Sequence, residues 1–93
     1  MGFNKIKSYE AFESKGGWAE SEGKLVKRFG FDGFTQALSF INRVAEEAEA
    51  LQHHPEIRWE YDKITILLST HDAGSKVTEK DFELARAIDR VES

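Results

Sequence analysis

The sequence predicts an α+β fold: a single layer of mostly antiparallel four-stranded sheet with two to three helices packed on one face. Two stretches, residues 18–31 and 57–70, show the alternation and turn chemistry of β-hairpins. A long helical stripe lies between them, over residues 34–51, and a second closes the chain after Thr78. Successive hairpins joined by a helix favour an antiparallel sheet with its helices gathered on one side. A chain of 93 residues has room for one core, so residues 1–93 are expected to form a single domain.

Taken in order, Ile6, Tyr9 and Phe12 lie three apart between Lys5 and Lys15, which predicts a short helix ended by Gly16-Gly17. Trp18 to Glu20, a turn at Ser21-Glu22-Gly23, and Lys24 to Phe31 make the first hairpin; Leu25, Phe29 and Phe31 alternate there with Val26, Arg28 and Gly30. That alternation marks Lys24 to Phe31 as an edge suited to strand pairing between subunits. From Phe34 to Leu51 the residues Phe34, Ala37, Leu38, Ile41, Val44, Ala45, Ala48 and Leu51 share one helix face, with Asp32 the expected N-cap. Phe40 falls off this stripe and is expected at the surface, on a face for association.

Pro55 cannot continue the helix and biases His54 towards extended backbone. Ile57, Trp59 and Tyr61 then alternate with Arg58 and Glu60, Asp62-Lys63 turns the chain, and Ile64 to Thr70 runs as an apolar strand to His71. Trp59 and Tyr61 are expected in the core, the usual place for aromatic residues at alternating strand positions. Thr78 with Asp81 three residues on has the form of a capping box, Val77 and Phe82 occupy the staple positions, and Leu84, Ala85, Ile88 and Val91 form the last apolar stripe.

Composition narrows the function. At 40% hydrophobic and 32% charged, the chain reads as an ordinary soluble domain. The absence of cysteine excludes disulfides, thiolate catalysis and cysteine-held metals. No apolar run is long enough to span a bilayer, and Met1-Gly2-Phe3-Asn4-Lys5 lacks the apolar centre of a signal peptide, so a cytoplasmic location is expected. Seventeen acids against thirteen bases give a net charge of −4 with no basic stripe, which argues against direct nucleic-acid binding.

The three histidines are concentrated at element ends: His53 and His54 where the long helix stops, His71 where an apolar strand stops. Glu49 precedes His53 by four residues and is expected to reach its ring; the helix C-terminus likewise favours imidazolium, which suits an acid near neutral pH. The extended turn at Pro55 can bring both imidazoles towards one cleft. Asp81 has a helix-capping reason to be acidic whatever else it does. A Glu and a His four apart with a further His is also a pattern that can hold zinc or iron, but no other residue type points to a metal and none is expected.

The order Glu49, His53-His54-Pro55, Tyr61, His71, Asp81 resembles the signature of the pterin-4a-carbinolamine dehydratase family, also known as dimerisation cofactors of a homeodomain transcription factor. The likeness extends to Gly17-Trp18, to Phe40, Asn42, Arg43 and Val44 in the long helix, to Leu68-Ser69-Thr70-His71, and to the closing helix. The resemblance implies dehydration of 4a-hydroxytetrahydropterin to quinonoid dihydropterin, by proton transfer alone, with neither metal nor redox cofactor. It implies His53 and His71 as the acid/base pair and His54 as the histidine that mainly holds the pterin. Glu49 and Asp81 take supporting roles, and Gln52, His53, His54, Ser69, Thr70, His71 and Asp72 line the substrate pocket. A homodimer or homotetramer is implied, and for some members a protein-binding role through the long helix. The sequence departs from human-like members at Gln52, where they carry Asp, and at Asp72, where they carry Glu, and its loop before Thr78 is one residue longer.

Overall fold

The computed structural model describes residues 17–71 and 74–92. The short helix expected between Lys5 and Lys15 lies outside them, as does Asp72. The described chain runs β1 (Ala19–Ser21), β2 (Lys24–Gly30), α1 (Phe34–Leu51), β3 (Glu56–Glu60), β4 (Lys63–Leu68) and α2 (Glu79–Glu92). All strand pairs are antiparallel and the order across the sheet is β1-β2-β4-β3, so the α+β architecture read from the sequence is the one observed.

Local chemistry sets the hairpins. The first turns at Glu22-Gly23, whose φ values of 54° and 77° match the twist of two-residue hairpin turns. A Cβ on Gly23 would stand 2.7 Å from the Ser75 carbonyl oxygen, so the hairpin tip abuts the loop after β4 as only glycine allows. The second hairpin turns at Tyr61-Asp62, one residue earlier than expected, because Lys63 already pairs with Glu60. Tyr61 takes a left-handed φ of 54° there and leaves the strand.

The strand from Lys24 is not an edge. It is hydrogen-bonded to β1 on one side and to β4 on the other, and the outer strands among the described residues are β1 and β3. β4 carries Ile64, Ile66 and Leu68, all essentially inaccessible to solvent, and such a strand belongs in the middle of the sheet.

The helices cover one sheet face. Leu25, Phe29, Ile64, Ile66 and Leu68 meet Ala37, Phe40, Val44 and Ala48 of α1 and Leu84, Ala85 and Ile88 of α2. Phe40 is thus fully buried, the reverse of its expected exposure. Its ring lies 4.8 Å from Phe29 and 4.9 Å from Phe31, so it fills the centre of an aromatic cluster on the sheet. The helix is rotated relative to the stripe read from spacing, and Phe34, Leu38 and Leu51 are left partly in solvent. The expected N-cap at Asp32 is also displaced: Gly33 occupies that position in extended backbone, with no side-chain cap.

Trp59 and Tyr61 are not core residues; they are 37% and 65% exposed. β3 is the last strand of the described sheet, and the first turn of α1 reaches them through Phe34, which stacks on Trp59 at 4.5 Å and on Tyr61 at 6.4 Å. Trp18, in contrast, is buried against Phe29 and donates its indole N–H to the Asp89 carboxylate at 3.1 Å. Lys27 lies 2.9 Å from the same carboxylate, so the first hairpin is tied to α2. On the face away from α1 and α2, Lys24 bridges strands to Glu56 at 3.1 Å; that hydrogen bond, with a lesser one from Arg58, holds the Glu56 carboxyl below its ordinary value.

Because Phe40 sits at the meeting of sheet and helix, Phe40→Ala should lower unfolding free energy by about 3–5 kcal/mol, as read by urea denaturation. A loss below about 1 kcal/mol would mean the aromatic cluster closes over the gap.

Candidate active site

α1 ends in a way that aims two side chains apart. Gln52 takes the left-handed conformation at φ 52°, its N–H donates to the Glu49 carbonyl at 3.2 Å, and the His53 N–H donates to the Ala48 carbonyl at 3.1 Å. This is the Schellman arrangement, made here with glutamine in the place usually held by glycine. The Gln52 side chain adds a bond of 2.7 Å to the Glu49 carbonyl, an orphan acceptor of the last turn.

Past this reversal the four-residue helix spacing no longer governs who meets whom. Glu49, expected beside His53, instead pairs with His54, Oε2 to Nε2 at 2.5 Å, in a largely exposed position. His53 turns inward, and its Nε2 lies 2.6 Å from Oδ1 of Asp81, whose side chain is 0% exposed.

Asp81 therefore serves both as cap and as histidine partner. Its Oδ2 accepts the Thr78 N–H at 2.8 Å, the return half of the expected capping box, and the Thr70 hydroxyl at 2.9 Å. A carboxylate that already accepts two bonds accepts a third from the imidazole, so Nε2 of His53 carries the hydrogen and Nδ1 is the nitrogen left outside the pair. The same reasoning applied to the Glu49 pair leaves Nδ1 of His54.

His71 is brought up from β4. Its neighbour Thr70 forms a bridge with Lys76, donating its N–H to the Lys76 carbonyl at 2.9 Å, while the Thr70 carbonyl accepts the Ser75 N–H at 3.1 Å. The loop holding His71 is thereby closed at its base, and Gly74 N–H to the His71 carbonyl at 2.9 Å tightens it.

These segments enclose an open cleft of about 240 Å³ lined by Gln52, His53, His54, Ser69, Thr70, His71 and Lys80. That is somewhat below the roughly 300–1,000 Å³ of most small-molecule sites. All three histidines share it, and every pocket residue expected from the sequence lines it except Asp72, which is outside the described residues. Lys80 was not expected. Its signal was present: a cation in the first turn of a helix opposes the helix dipole and has no structural reason to be there. Among the described residues no three His, Asp or Glu side chains gather where they can hold a metal ion; Glu49 and Asp81 are drawn to different histidines.

Known proteins share this sequence pattern and fold. A family model described as pterin 4 alpha carbinolamine dehydratase matches residues 3–91. A protein of Opitutus terrae named after pterin-4-alpha-carbinolamine dehydratase is 52% identical over 75 residues, covering 81% of this chain and 77% of its own. The crystal structure of a transcriptional coactivator/pterin dehydratase from Brucella melitensis superposes with a TM-score of 0.79 at 28% identity, covering 100% of this chain and 98% of that one. A pterin dehydratase-like protein identified as a RuBisCO assembly factor in the alpha-carboxysome shares the fold, with a TM-score of 0.65 at 23% identity over 80% of this chain and 84% of its own.

Removing the Asp81 carboxylate leaves three donors facing a void. Asp81→Ala should cost about 3 kcal/mol of stability at neutral pH, measured by urea unfolding. A cost under about 1 kcal/mol would show that Thr70, Thr78 and His53 find other acceptors.

Proposed function

Since the chain belongs to the pterin-4a-carbinolamine dehydratase family, we propose that residues 1–93 form one dehydratase domain that converts 4a-hydroxytetrahydropterin to quinonoid dihydropterin and water. The reading is carried by one observation: the three histidines line a single small cleft, two of them with a carboxylate at Nε2.

The reaction needs one proton delivered and one removed. An acid protonates the 4a-hydroxyl as it leaves, the N5 lone pair forms the C4a–N5 double bond, and a base takes the N5 proton, so that water is the only other product. Histidine's ordinary pKa suits both transfers near neutral pH. His53, held by buried Asp81, and His71, on the closed loop, are the acid/base pair. His54, on the exposed rim with Glu49, mainly holds the pterin, and Gln52, Ser69, Thr70 and Asp72 line its pocket. No metal or redox cofactor enters this chemistry. The activity supports tetrahydrobiopterin recycling in the cytoplasm; among the described residues no helix is long and apolar enough to cross a membrane.

The protein is further proposed to act as a homodimer or homotetramer. Support comes from the exposed aromatic group Phe34, Trp59 and Tyr61, which stands beside β3, the last strand of the described sheet. Light scattering at micromolar concentration should give a mass of at least two chains, and a strictly monomeric mass would contradict this.

The chemical reading is tested by a direct assay on synthetic 4a-hydroxytetrahydropterin. His53→Ala and His71→Ala should each lower kcat by about 10² to 10⁴-fold with the fold intact, and His54→Ala should act mostly on KM. Unchanged rates in both of the first two variants would sink the mechanism.

A further inference from the structure

Thr70 lines the cleft, yet neither its side chain nor its backbone is free to serve a ligand. The residue is 7% exposed, and its hydroxyl oxygen lies 2.9 Å from Oδ2 of Asp81 and 2.7 Å from the Thr78 hydroxyl. Its N–H and carbonyl are both committed to the bridge with Ser75 and Lys76.

The hydroxyl has one hydrogen, and a carboxylate only accepts. Thr70 must therefore donate to Asp81, and Thr78 must donate to Thr70. A directional chain results, from the Thr78 O–H to the Thr70 O–H to Oδ2 of Asp81, with Oδ1 left for the His53 ring. Such chains polarise each bond in turn, and a carboxylate held on one oxygen by two donors has little freedom to rotate.

We infer that Thr70 is a positioning residue for the proposed dehydration: its hydroxyl sets the plane of the Asp81 carboxylate, which holds His53 as the Nε2–H tautomer with Nδ1 available to the substrate. The inference rests on the dehydratase reading for its kinetic part only. The logic is that of a carboxylate orienting a catalytic imidazole, here with a further group orienting the carboxylate.

Two substitutions separate the possibilities. Thr70→Val keeps the shape and removes the hydroxyl; Thr70→Ser keeps the hydroxyl. The readouts are kcat and KM, together with the nitrogen NMR shifts of the His53 ring in the free protein, which report the tautomer. Thr70→Val should lower kcat about tenfold or more with KM within about twofold, and its His53 ring should become a mixture of tautomers. Thr70→Ser should restore both to near wild type.

A raised KM with unaltered kcat and ring would make Thr70 a substrate contact and overturn the inference, as would a Thr70→Val protein unchanged in every readout. If Thr70→Val fails to fold, Thr78→Val carries the same test, since it removes the donor to Thr70 while keeping the Thr78 N–H. The ring spectrum needs no substrate, so a wild-type protein inactive on the pterin would overturn the dehydratase reading while the spectrum still decides the part played by Thr70.

Discussion

One buried carboxylate holds the architecture of this site together. Asp81 accepts from the Thr70 hydroxyl, the Thr78 N–H and the His53 ring, and so joins the segment after β4, the start of α2 and the end of α1 at a single point. Burying an ionised group without partners costs several kcal/mol, but a group with donors on both oxygens is tolerable and specifies one geometry. No buried side-chain polar atom among the described residues lacks a partner, so this geometry is fully satisfied. The cleft is held by the same bonds that start a helix.

The end of α1 divides adjacent histidines between two environments. The left-handed residue Gln52 reverses the chain, after which His53 enters the protein and His54 remains outside. Each ring meets a carboxylate through the same nitrogen, yet one pair is enclosed and the other is solvated. An enclosed pair keeps a fixed orientation, whereas a solvated pair can adjust to whatever lies against it. Two neighbouring residues of one type thereby acquire different surroundings from backbone geometry alone.

Much of this was legible in the sequence, and the parts that were not share a cause. Period-two and three-to-four spacings located both hairpins and both described helices, with the bounds of α1 read to the residue. The rotation of α1 was not legible, because its apolar residues cover two overlapping faces and only the aromatic side chains of the sheet choose Phe40 over Leu38. The interior place of β2 depends on pairing with a strand more than thirty residues later, which local alternation does not encode. At the site, the three histidines stood out at element ends and their pocket neighbours came from the family resemblance, but the partners of Glu49 and Asp81 depended on how the helix terminates. Rules for side chains within a helix stop applying where Gln52 leaves it.

The double duty of Asp81 makes the site tolerate change unevenly. His54 and His71 lie exposed, so either can be exchanged at small cost to folding. The Asp81 carboxylate is bound to the start of α2 and to Thr70, so its loss would loosen the fold together with the cleft. This architecture lets the cleft change its lining while its frame stays put.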